Sequence, residues 1–290
     1  MSYQTAQAYD KVADENKFTL RNHVMIADNA ELIAAHFAHG PIVGAYDGRI
    51  QIRAVKLYID GALGSRGAAL LEPYSDDPGN TGLLRTTPEH IQDVATRALR
   101  AGFQTAVHRK KRRAVPTRDH RFRIEHAQVL SPHLASCPRC RRPIKSATWT
   151  GRRRGPQNTG VTIANGTDAP VEAVNPLRTF HAAISRQNEE NQPPGGWYPN
   201  QAMTRDEALK SMTIWAARAN FMEREIGSIS PGKHADFVVM DRDWMKVPAG
   251  AIMATTVVAT HFSGGQFQRQ ASGGSVAESF SARKSHTCTD

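Results

Sequence analysis

The chain has 290 residues, of which 40% are hydrophobic, enough apolar material for a sizeable core and too much for wholesale disorder. No stretch approaches the roughly 18 to 20 apolar residues of a membrane span, and the polar opening MSYQTAQAYDKVADENKF lacks the apolar core of a secretory signal, so a soluble, cytoplasmic protein is expected. The net charge of +10 is local: 15 of the 37 Lys and Arg fall between His108 and Arg154 against two of the 27 acids, leaving 22 basic and 25 acidic residues elsewhere.

In chain order, LRNHVMI (20–26) reads as a strand, NAELIAAHFAHG (29–40) as a helix and IRAVKLYI (52–59) as a second strand. The clearest helix is predicted over 88–101. Thr87 is placed to cap it, Pro88 fits the first helical position, and Gly102 ends it. Strand-like runs follow in FQTAV (103–107), FRIEHA (122–127) and VTIAN (161–165). Strands alternating with helices predict a mostly parallel sheet, open or closed as a (β/α)8 barrel. Thr204 and Glu207 form a capping-box pattern that opens another helix. GSISPGKHADFVVMD (227–241) and TTVVATHFSGGQF (255–267) read as a small β-element, and from Gln268 the polar, Ser-rich sequence reads as a disordered tail.

The basic runs RKKRR (109–113) and GRRRG (151–155) could meet phosphates, but they lack interleaved aromatics and any nucleic-acid fold signature, so nucleic acid is not an expected partner. Cys137, Cys140 and Cys288 give no disulfide framework. Cys137 and Cys140 form a lone CxxC without the second pair of a zinc tetrahedron.

Four polar residues fall within or just beyond predicted strands: Lys56 inside IRAVKLYI, His108 after FQTAV, His126 in FRIEH and Asp168 beyond VTIAN. In a parallel α/β fold such residues converge on one mouth. There, two imidazoles and a carboxylate suit a divalent metal whose bound water Asp168 could deprotonate. Duller readings stand beside this one. Either histidine could be a hydrogen-bonded structural residue, Lys56 could snorkel to solvent, and Asp168 could merely cap the helix after APVEAVNP.

The segment VKLYIDGALGSRGAALLEPYSDDPGNTGLL (55–84) is very similar to a signature of amidohydrolase family 3, the branch that includes N-substituted formamide deformylase-like proteins. FRIEHAQVLSP (122–132), GTDAPVEAVNPL (166–177), PPGGWYPNQAMTRDEAL (193–209) and GSISPGKHADFVVMDRD (227–243) resemble its later parts. The resemblance implies a (β/α)8 barrel with one or two divalent metal ions, usually zinc, and a small-molecule substrate. It implies that Lys56 is carboxylated and bridges the metals, that His108 and His126 are ligands, and that Asp168 is both ligand and general base. Arg66, in GSRG, would face the substrate.

The departures shape the expectation equally. Family members begin with a β-sandwich segment and a first barrel strand bearing His-x-His, a pattern this sequence does not contain. The family's Ala-Ile-Gly-Asp after the fifth-strand histidine is replaced by Arg-Lys-Lys-Arg-Arg. Only 12 residues (109–120) then cross to the next strand, and 133–159 shows neither helical nor strand periodicity. Deletion and out-of-frame translation would produce such a window. The expected architecture is therefore an α/β fold in three parts. These are an incomplete TIM-type barrel over 1–225, degenerate at 109–159, a C-terminal β-element of the composite β-sandwich over 226–267, and a tail over 268–290. The expected activity is metal-dependent hydrolysis of non-peptide C–N bonds in amide or N-formyl compounds. The alternative is a catalytically inactive remnant lacking the His-x-His ligands. Homo-oligomerisation is left open.

Overall fold

A computed structural model describes residues 9, 11–12, 15, 19–108, 121, 123–126, 144–147, 162–169 and 171–268. Most of 109–159 and the tail beyond Gln268 thus lie outside the described residues. The chain divides into two units, residues 1–172 and 173–290.

The first unit is built on one sheet. Its strands are β1 (Asn22–Ile26), β2 (Ile42–Gly44), β3 (Ile50–Tyr58), β4 (Gln104–His108), β5 (Arg123–Glu125), β6 (Ile144–Ala147) and β7 (Ile163–Asn165). The spatial order is β1-β3-β4-β5-β6-β7, parallel throughout, with β2 pairing antiparallel to the start of β3 at Ile52. Among the described residues, β1 and β7 end this path without pairing to each other.

Two of the described helices pack on this sheet, and both are set by their ends. In α1 (Ala30–His39) the Asn29 side chain accepts from Leu32 N at 3.0 Å. In α2 (Pro88–Arg100) Thr87 Oγ1 accepts from His90 N, Pro88 fills the first turn, and Gly102 turns the chain at φ 84°. Ile91, Val94 and Ala98 of α2 pack with Ile33 of α1 and with Val24, Val55, Leu57 and Val107 of the strands. This core anchors β3 and β4, so their carboxyl ends are fixed in position.

The sequence shows no periodicity over 133–159, yet Ile144–Ala147 pairs in parallel with both β5 and β7. A four-residue strand is too short to leave a period-2 signature, and its neighbours, not its composition, define it.

In the second unit, α3 (Pro176–Ser185), α4 (Arg205–Met212) and α5 (Ile214–Ala219) precede an antiparallel sheet of β8 (Phe237–Met240), β9 (Val257–Phe262) and β10 (Gly265–Gln268) in the order β10-β9-β8. Thr204 and Glu207 close the capping box of α4 from both sides. Phe180 of α3 is fully buried and stacks on Trp244 at 4.4 Å.

Candidate metal centre

Strand register decides which side chains can meet. On parallel strands, paired residues share a face. Lys56 pairs with Ala106, which pairs with Arg123, and one pleat further on Tyr58 pairs with His108, which pairs with Glu125. Lys56, Tyr58, Ala106, His108, Arg123 and Glu125 therefore belong to one face of the sheet. The His108 backbone closes β4 at this level, while its side chain lies outside the described residues.

Lys56 does not snorkel. It is 9% exposed, and Nζ donates to Glu125 Oε2. Arg123 Nε lies 3.0 Å from the other carboxylate oxygen, Glu125 Oε1, and all three side chains are buried. Burial pushes the Glu125 carboxyl up, but the Arg123 and Lys56 cations outweigh it and hold the group below the ordinary carboxylate range. The Tyr58 ring lies 5.0 Å from Lys56 Nζ and 5.8 Å from the Arg85 guanidinium. Burial and the nearby Glu125 charge raise its phenol, which stays protonated.

His126 directly follows β5, and its Nδ1 stands 3.7 Å from Asp168 Oδ2, just beyond β7. Both residues hold positive φ, 64° and 60°, a region that non-glycine residues seldom occupy and that clusters at functional sites. Asp168 is not a helix cap, because that role in α3 belongs to Asn175, whose side chain accepts from Leu177 N at 3.0 Å. The Asp168 carboxylate is left partly exposed at the sheet end.

This pair fits a divalent ion. Two ligands each about 2.1 Å from one tetrahedral metal sit roughly 3.4 Å apart, close to the separation observed. Lys56 as placed does not fit, since its ammonium is engaged by Glu125. Among the described residues, no group of three or more His, Cys, Asp or Glu side chains is arranged around a common point.

Arg66 lies in the loop after β3, with its guanidinium 3.0 Å from Asp76 Oδ2 and both side chains exposed. Hydrogen bonds within that loop tie its turns together. Gly67 N donates to Ala62 O, Gly61 N to Gly67 O, and Asn80 Oδ1 accepts from Gly82 N at 2.7 Å. The charges and phenol around Arg66 (Asp76, Asp77 and Tyr74) all belong to this loop. A cavity of about 410 Å³ bordered by Asp28, Ile33, Thr87, His90 and Arg97 contains none of the candidate ligand or substrate residues Lys56, Arg66, His126 and Asp168.

Sequence reasoning missed Glu125 and Arg123. The signal was present in FRIEH, where opposite charges stand two apart in an otherwise apolar strand and must share a face.

A family model described as "Amidohydrolase family" matches residues 1–267. The chain belongs to the amidohydrolase family. Among curated relatives, it is 28% identical to the putative amidohydrolase YtcJ of Bacillus subtilis, covering 82% of this chain and 50% of that one. It is 31% identical to the protein LONG AFTER FAR-RED 3 of Arabidopsis thaliana, covering 75% and 43%. The chain thus spans about half the length of the curated relatives it matches. In fold it is similar to an uncharacterized metal-dependent hydrolase from Pyrococcus horikoshii, with a TM-score of 0.70 at 24% identity over 84% of this chain and 55% of the other.

Proposed function

We propose that this amidohydrolase chain hydrolyses non-peptide C–N bonds in small amide-type or N-formyl compounds, using one divalent metal ion, zinc by its preference for imidazole with carboxylate. The observation that carries the reading is the approach of His126 Nδ1 to Asp168 Oδ2, two metal-ligand groups brought together from the ends of different strands. His108 completes the proposed donor set, since its backbone is paired at the level of Glu125, one residue before His126. A bound divalent cation supplies Lewis acidity towards the substrate carbonyl and acidifies water. Asp168, partly exposed at the mouth, takes the proton of the attacking water and returns it to the leaving nitrogen. His126 would hold the ion from the same end, and the buried Arg123–Glu125 pair beneath it fixes the strand.

The test is metal content by elemental analysis of a monodisperse fraction prepared with zinc. About one zinc per chain is expected, lost in both His126→Ala and Asp168→Ala. Absence of bound metal from folded protein favours the second reading, a catalytically inactive remnant. One observation already favours that reading, the engagement of Lys56 by Glu125 in place of a ligand role.

A further inference from the structure

The surroundings of Lys56 conflict with the bridging role that family resemblance gives it. A carbamate forms when Nζ bonds the carbon of CO2 and the ammonium releases two protons, turning a charge of +1 into −1. Here Nζ donates to Glu125 Oε2, while Arg123 Nε holds Oε1 at 3.0 Å. With all three side chains buried, these charges are weakly screened. Two cations around one carboxylate leave the cluster at +1. A carbamate on Lys56 would instead set two anions against each other at contact distance, with Arg123 as the only cation of the three. Lys56 stands level with Ala106 and Arg123, so the side chain already spans β4 to reach Glu125. We infer that Lys56 serves in this chain as the permanent counter-ion of Glu125, not as a CO2-modified bridge. A metal held at His126 and Asp168 is therefore held as a single ion. Only this last consequence rests on the function proposed above.

The experiment uses the full chain, soluble and monodisperse, incubated with zinc and 13C-bicarbonate and read by 13C NMR and elemental analysis. Unfolding midpoints are measured in parallel for the unaltered chain, Lys56→Met, Glu125→Gln and the double variant. The expected results are no carbamate carbon on the protein and no more than one zinc per chain. Lys56→Met lowers the midpoint by roughly 5 °C or more, and the double variant loses clearly less than the two single losses combined. A carbamate signal that vanishes in Lys56→Met, two zinc ions per chain, or strictly additive losses would overturn the inference. Should Lys56→Met fail to fold, the NMR measurement on the unaltered chain still decides. A zinc content of zero removes the metal centre proposed above, while non-additive losses still uphold the Lys56–Glu125 pair.

Discussion

Lys56 and Glu125 reach each other over an intervening strand: Lys56 rises from β3, Glu125 from β5, and the residue of β4 level with Lys56 is Ala106. The methyl group of Ala106 is fully buried, and its small size leaves room for the lysine stem. Ala106→Leu should therefore displace the ion pair and overpack the face, costing about 1–3 kcal/mol. Urea denaturation would show this as a lower midpoint at an unchanged slope. An unaltered midpoint would mean that the pair does not cross β4 at this level.

Stability should fall on acidification, with a defined source. His23 lies on β1 with both ring nitrogens buried and without a hydrogen-bond partner among the described residues. Burial, with Arg123 and Arg53 nearby, lowers its pKa to about 3. The folded state keeps His23 neutral while the unfolded chain takes up its proton near pH 6.5. Stability is thus fully present above pH 6.5 and is lost progressively as pH falls towards 3, by up to roughly 4 kcal/mol. The depressed Glu125 carboxyl adds a loss of the same sign in more acidic solution. Unfolding measured between pH 7 and pH 4 should show this slope in the unaltered protein and a shallower one in His23→Leu.

The loop after β3 should depend most sharply on Gly82. Gly82 has φ +72°, and a Cβ built there would meet Ala68 O at 2.1 Å, a clash with backbone that no side-chain rotation relieves. Gly82→Ala should open the 59–86 loop, and limited proteolysis should find new cleavage sites there. Equal protease resistance in both proteins would contradict the packing described.

Arg66→Ala should leave the unfolding midpoint essentially unchanged, because its ion pair with Asp76 is exposed on both sides. Thermal unfolding tests this directly, and a drop of several degrees would mean that Arg66 has a buried role.

How far the sequence could be read depended on whether a feature was local. The helix over 88–100 was legible because Thr87, Pro88 and Gly102 carry their own start and stop chemistry. The strands ending at Tyr58 and His108 were legible because their apolar runs are buried against α1 and α2. β6 was not, since Ile144–Ala147 becomes a strand only through its two neighbours. At the site, the positions of Lys56 inside a strand, of His126 at a strand end and of Asp168 just beyond one were legible. The partner of Lys56 was not, because an ion pair between β3 and β5 depends on register, which no single segment encodes. Whether Asp168 caps α3 was equally closed to sequence reasoning, since both Asp168 and Asn175 have the chemistry to do so and only geometry awards the role to Asn175.

The left-handed backbone at His126 and Asp168 sets folding and chemistry against each other. A glycine at either position would relax the main chain by about 1 kcal/mol and would also delete one half of the ligand pair. Variants selected for thermal resilience alone should thus drift towards glycine at these two positions, trading away the very groups proposed to hold the metal.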